Sequence, residues 1–315
     1  MKKKYVIFVL KSLTLVLLLY VIYTQLFVNQ SIAELIAELK ITIPLGLWLL
    51  FMGVFSFLNV SIEALKWQKL VKKVSCISFV KSLKAIVAGN TLAMFTPNRT
   101  GEFGARVLFL EKNHRWEGVA LSLLGSFSQI LATSVVSGIA FVFFLKNIAH
   151  YPTKIWLSVW LIGSILALIL LCIYYNIGAI KPYVYGTKWL KKIRPYILPL
   201  EKFSARELSQ ILGLSLLRYG VFSLQFILLL YSLGYQIPFA TIWNMVGSVY
   251  FMQTVIPSIG LVELGVRGQV IMFVFAQYTQ QLVPILAASL LMWCFNLMIP
   301  ALIGWLMLWQ KEQEE

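Results

Sequence analysis

The sequence predicts an all-α polytopic membrane protein with about six full transmembrane helices plus two re-entrant helical hairpins in an inverted repeat. Three observations lead there. Of 315 residues, 60% are hydrophobic and only 12% are charged, about half the charge of a soluble domain. Several apolar runs reach the roughly 20 residues that a helix needs to cross a hydrocarbon core about 30 Å thick. Two further apolar stretches are interrupted by Pro and Gly at similar motifs.

The first span covers about 5–28. Lys2, Lys3 and Lys4 precede it as in a signal peptide. The run from Tyr5 to Val28 is too long for that, and no small-residue cleavage site follows, so it reads as uncleaved. The second span covers about 41–64, and a broken stretch at 83–112 follows, interrupted at Thr96-Pro97-Asn98-Arg99-Thr100-Gly101. Full spans come next at about 117–145, 155–177 and 208–233. A second broken stretch, 239–279, is interrupted at Pro257-Ser258-Ile259-Gly260, and the last span is about 284–309. Pro removes a backbone donor and Gly frees the chain, so helices stop at such points. Each half is then too short to cross alone, and both stretches read as re-entrant hairpins. Such backbone is tolerated at membrane depth where protein or a water-filled cavity surrounds it. Residues 1–315 read as a single integral membrane domain, with a first half of about 1–177 and a second of about 208–309.

The net charge is +15. Lys and Arg lie between the apolar runs, which favours topology and contact with anionic lipid over nucleic acid. With the N-terminus inside, the segment 65–84 is cytoplasmic with Lys66, Lys69, Lys72, Lys73, Lys81 and Lys84. So is the loop 178–207, with Lys181, Lys188, Lys191, Lys192, Arg194, Lys202 and Arg206. The outer connections are short and hold Lys40, Lys146 and Lys154. This asymmetry places both termini in the cytoplasm and the protein in the cytoplasmic membrane. The Lys-rich segments read as solvated topology determinants. Trp48, Trp67, Trp116, Trp156 and Trp309 read as interface anchors. Cys76, Cys172 and Cys294 are far apart and read as small buried residues, neither a zinc site nor a disulfide framework.

The two breaks share a pattern. Pro97 and Gly101 lead into Glu102-Phe103-Gly104-Ala105-Arg106, and Pro257 and Gly260 lead into Glu263-Leu264-Gly265-Val266-Arg267. Three full spans separate the copies, so the second enters from the opposite face. Paired interruptions in an inverted repeat point to a substrate site in secondary transporters.

Catalytic signatures are scarce. The chain has no Asp and only two His, His114 and His150, which read as interfacial side chains. It carries no HExxH and no P-loop. We expect neither an enzyme nor a metal or cofactor site. What remains is a set of charges in apolar surroundings: Arg99, Glu102, Arg106, Arg218, Glu263 and Arg267. A charge at that depth needs a partner or water. Arg suits phosphate because its planar fork donates two parallel hydrogen bonds. Asn90, Thr91, Thr96, Asn98 and Thr100 add neutral donors and acceptors, so the group could hold a lipid headgroup near mid-membrane. Arg218 reads equally well as a helix-tying ion pair.

At these motifs the sequence resembles the flippase-like membrane domain of lysylphosphatidylglycerol synthetases, which also occurs as a stand-alone protein. Asn90 followed by Pro97, Arg99, Gly101 and Glu102 resembles its first motif. Pro257, Gly260 and Glu263 resemble its second, with Ser258-Ile259 replacing a more Gly-rich turn. The resemblance covers nearly the whole chain and implies lipid translocation. The chain ends six residues after Trp309, which leads us to expect a stand-alone member without the synthase domain. The expected function is a flippase or transporter of a phospholipid, or of an aminoacylated or glycosylated lipid. The expected partners are membrane lipids. A homo-oligomer and a lipid-synthesis enzyme stay open as protein partners. The alternative is a membrane-embedded enzyme or accessory subunit of glycolipid synthesis.

Overall fold

The computed structural model describes residues 16, 44–96, 99–149, 151–180, 196, 198–256 and 263–311. These residues form ten α-helices, with short 3-10 turns between some of them. They are α1 Leu45–Val71, α2 Phe79–Ala93, α3 Gly101–Val107, α4 Arg115–Ile148 and α5 Thr153–Tyr175. The second half holds α6 Ala205–Ser232, α7 Phe239–Val255, α8 Glu263–Phe275, α9 Val283–Trp293 and α10 Ile299–Lys311. Five helical segments are long and apolar enough to cross a membrane: α1, α4, α5, α6 and the run from α9 into α10. They coincide with five of the expected spans. The span expected at 5–28 lies outside the described residues.

Local chemistry sets the boundaries. Pro44, Pro152 and Pro238 stand immediately before α1, α5 and α7, where a missing N–H costs no helical bond. Ser78 caps α2 by accepting from the Lys81 amide. Ser204 opens α6 with a capping box, its hydroxyl accepting from the Glu207 amide while the Glu207 carboxylate accepts from the Ser204 amide. Within the expected hairpins, α2 has 15 residues, α3 has 7, α7 has 17 and α8 has 13. At 1.5 Å per residue even α7 reaches only about 26 Å. The two members of each pair, α2 with α3 and α7 with α8, pack on each other.

The halves repeat in register. α1 and α6 begin 160 residues apart, and so do α2 and α7; Pro97 and Pro257 keep the same interval. Packing repeats too: α2 lies on α10 as α7 lies on α4, while α1 lies on α6. Both corresponding contacts close on a small residue. A Cβ at Gly247 would collide with Ala140, and one at Gly304 would fall on the Val87 carbonyl. Gly247 stands 160 residues after Val87. Small residues let membrane helices approach backbone to backbone.

Two large apolar cores flank a polar middle. One gathers Trp48, Met52, Phe226, Leu230, Ile242 and Val274. The other gathers Ala64, Trp67, Leu121, Leu131, Tyr174 and Ile211. Trp48, Trp67 and Trp156 are buried, which corrects their reading as interface anchors. Trp48 and Trp67 fill space between helices, and Trp48 donates its indole N–H to the Ser232 hydroxyl at 3.2 Å. Trp116 is exposed, and the side chain of Trp309 lies outside the described residues. Cys76 and Cys172 are exposed and Cys294 is half-buried, all as free thiols. The expectation of buried cysteines therefore fails. α5 explains Cys172, since that helix fully buries only Trp156 and Tyr174 and leaves Cys172 on its exposed face. His114 pairs with Glu117, Nδ1 to Oε2, at 2.6 Å. His150 lies outside the described residues.

Candidate functional site

The polar middle is built from residues near the centres of the long helices. Asn59 and Glu63 come from α1, Gln129 from α4 and Arg218 from α6. Asn296 comes from Cys294–Met298, a π-helical turn joining α9 to α10. Such turns push a residue out of the helical ladder and recur at functional sites.

Glu63 is the hub. It is 4% exposed and meets three cations. Lys66 Nζ lies 2.7 Å from Oε2, Arg218 donates to Oε2 at 3.0 Å, and an Arg106 terminal nitrogen lies 3.1 Å from Oε1. Arg106 also pairs with Glu102 one turn back, at 3.3 Å. Arg218 Nε donates to Asn59 Oδ1 at 2.7 Å. The Asn59 amide donates to Asn296 Oδ1 at 2.8 Å, and the Asn296 amide to Gln225 Oε1 at 2.9 Å. The network thus ties α1 to α3, α6 and the π turn. It satisfies charges that would otherwise cost several kcal/mol each in this setting.

Neither Glu63 nor Lys66 was singled out as a site residue from sequence. Lys66, read there as a solvated cytoplasmic lysine, is 1% exposed, so that reading is corrected. α1 runs on to Val71, which draws Lys66 inside the bundle beside Glu63. Lys69 does face outward, while Lys73 is half-buried with its ammonium over the Phe203 ring. Lys69 donates to Gln210 at 3.0 Å and Lys73 pairs with Glu207 at 2.6 Å.

Beside the network lies a cavity of about 630 Å³. Its wall includes Asn59, Thr96, Arg99, Gln129, Thr133, Arg218, Phe222, Tyr250, Gln253, Thr254, Arg267, Trp293 and Asn296. Helices of both halves contribute. Three guanidinium-bearing residues line it, and among the described lining residues no carboxylate does.

Arg99 has a left-handed backbone, φ 59°, alone in this among the described non-glycine residues. That conformation costs an L-residue roughly 1–2 kcal/mol, and strain of this kind gathers at functional positions. Arg99 donates to Asn90 Oδ1 at 3.2 Å. Gly101 closes the same turn: its amide donates to Thr96 Oγ1 at 2.7 Å, and a Cβ there would lie 2.5 Å from the Leu92 carbonyl oxygen.

Of the residues expected to bind substrate, Thr96, Arg99, Arg218 and Arg267 line the cavity. Asn90 is buried behind it and anchors Arg99. Glu102 and Arg106 belong to the ion network, with the Ser126 hydroxyl 3.5 Å from Glu102. Pro97, Asn98, Pro257 and Gly260 and the side chain of Glu263 lie outside the described residues. Among the described residues no cluster of three metal-ligating side chains occurs.

A family model described as "Lysylphosphatidylglycerol synthase TM region" matches residues 7–304. The chain belongs to this family. Its membership fits a membrane protein with a lipid-related role. No curated protein matches the chain. In this member of the lysylphosphatidylglycerol synthase TM region family, Thr96 and Arg99 from the first half and Thr254 and Arg267 from the second line one cavity.

Proposed function

We propose that this protein is not an enzyme but moves a lipid across the cytoplasmic membrane, passing the headgroup through the arginine-lined cavity while the acyl chains stay in the bilayer. The observation that carries this reading is a polar, cationic cavity at the junction of two repeated helix–break–helix units in an otherwise apolar bundle. In this reading each unit is a re-entrant hairpin, six spans cross the membrane, and both termini face the cytoplasm. The repeated interval and the paired packing of α2 on α10 and α7 on α4 support an inverted repeat. Movement of one half against the other would expose the cavity to each face in turn. Arg99, Arg218 and Arg267 hold the headgroup. Asn90 positions Arg99, and Glu63 positions Arg218. Glu63 and Glu102 are engaged by cations and so serve positioning rather than acid–base chemistry.

The test is headgroup accessibility of fluorescent lipids in proteoliposomes. Wild type is expected to move lipid above the level of empty vesicles. Arg99→Ala and Arg267→Ala each remove a charge-assisted contact worth about 1.5–3 kcal/mol, which slows movement roughly ten- to a hundredfold. No movement by wild type, or full activity in both variants, ends the proposal. Chemical conversion of a purified lipid would shift the assignment to an enzyme.

A further inference from the structure

We infer that the cavity selects a net-anionic phosphate headgroup that carries no amine, so that phosphatidylglycerol-like lipids enter and aminoacylated lipids are turned away. This rests on the lipid-transport reading and narrows it to a charge class opposite to that of the lysylated lipid in the family's description.

Arg99, Arg218 and Arg267 line the cavity. Among the described residues around Glu63 and Glu102, the cations Lys66, Arg106, Arg218 and Arg99 outnumber the two carboxylates by two. Both carboxylates are already engaged: Glu63 by Lys66, Arg106 and Arg218, Glu102 by Arg106. Excess positive charge in an apolar bundle is stabilised by an anion. Arg99 Nε is buried with no hydrogen-bond acceptor among the described residues, which leaves it a donor to offer a phosphate oxygen.

An amine finds the reverse. Asn59 Oδ1 and Gln129 Oε1 already accept from Arg218, and Asn296 Oδ1 accepts from Asn59. The rings of Phe222, Tyr250 and Trp293 could face an ammonium. Three guanidinium-bearing residues share that wall, and like charges repel strongly where water is scarce. A lysylated phosphatidylglycerol adds two ammonium groups to one phosphate and ends with a net positive charge. Thr133, Gln253 and Thr254 can meet a hydroxyl or an amine alike, so charge makes the distinction, and phosphatidylglycerol keeps its negative charge.

The test uses the full chain in detergent. Native mass spectrometry follows retention of phosphatidylglycerol, phosphatidylethanolamine, lysylphosphatidylglycerol and a neutral glucosyl diacylglycerol at equal concentration. Phosphatidylglycerol is expected to be retained at least about tenfold better than the aminoacylated and neutral lipids. Arg99→Gln and Arg267→Gln are each expected to shrink that preference. Arg99→Lys keeps the charge without the fork, and is expected to keep the preference with weaker binding. Equal or better retention of the lysylated or neutral lipid overturns the inference. So does displacement of phosphatidylglycerol by equimolar glycerol phosphate, which would make the ligand a free phosphate. Proteoliposome flux separates the two readings. Faster movement of the aminoacylated lipid sinks the selectivity and leaves transport standing. A retained binding preference without movement of any lipid sinks transport and supports the selectivity.

Discussion

Neutralising Glu63 is expected to be among the most damaging single changes in the bundle. Its carboxylate meets Lys66, Arg218 and Arg106 at 2.7, 3.0 and 3.1 Å. At an effective dielectric of about 20, each contact near 3 Å carries about 5 kcal/mol of Coulomb attraction. Desolvation of the buried ions offsets most of that sum, and breaking one partner of a buried network typically costs about 3–5 kcal/mol. The loss falls unevenly. Arg106 keeps Glu102, and Arg218 keeps Asn59. Lys66 is left with only Gln129 and Ser215, both at 3.4 Å. Glu63→Gln should therefore lower stability by about 3–5 kcal/mol in equilibrium unfolding in mixed micelles. Lys66→Met on top of it should restore part of the loss, with a coupling of at least about 1 kcal/mol, because the orphaned ammonium goes with it. A Glu63→Gln protein within about 1 kcal/mol of wild type, or strict additivity in the double variant, would refute the hub.

Other expectations follow from the same geometry. Lys73, just past the end of α1, pairs with the partly exposed Glu207, and Lys73→Ala should change stability by less than about 1 kcal/mol in the same assay. Gly304→Val and Gly247→Val place side chains against Val87 and Ala140, and should each cost about 1–3 kcal/mol. Gly163→Ala, with open space around its Cβ, is the control and should cost nothing measurable. Arg99→Gly relieves the left-handed backbone while removing the guanidinium. Unfolding should stay within about 1 kcal/mol of wild type, while lipid movement in proteoliposomes falls away.

Much of the architecture was legible from two signals, apolar run length and the paired Pro-Gly breaks. Five expected spans correspond to described helices, and both breaks separate short helices. Arg218 was legible as a charge that needs a partner, and it pairs with Glu63. Its partner was missed because hydropathy ended the second span near residue 64, where Glu63 looked like a helix end. Lys66 was hidden for the same reason within a run of lysines. A finer signal existed. Ser56, Asn59, Glu63 and Lys66 recur at spacings of three and four, a polar stripe on one face of an apolar helix. Gln225 stands seven residues beyond Arg218 on α6 and continues the belt there. Trp48, Trp67 and Trp156 were misplaced because residue type alone cannot tell a ring packed between helices from one at the lipid boundary. The contribution of the π turn depends on backbone winding, which a single sequence does not display.

That turn has a consequence for the whole C-terminal helix. A π turn holds one residue more than the α-helical turn it replaces, and one residue rotates everything after it by about 100°. Asn296, within the turn, points to the hydrogen-bonded belt. Gly304, eight residues on, presents its bare face to Val87. The turn therefore sets the phase between the two. Deleting a single residue from 294–298 would swing Gly304 off α2 while leaving every side chain of α10 chemically intact. α10 works like a key whose teeth and shank are cut at a fixed angle to each other.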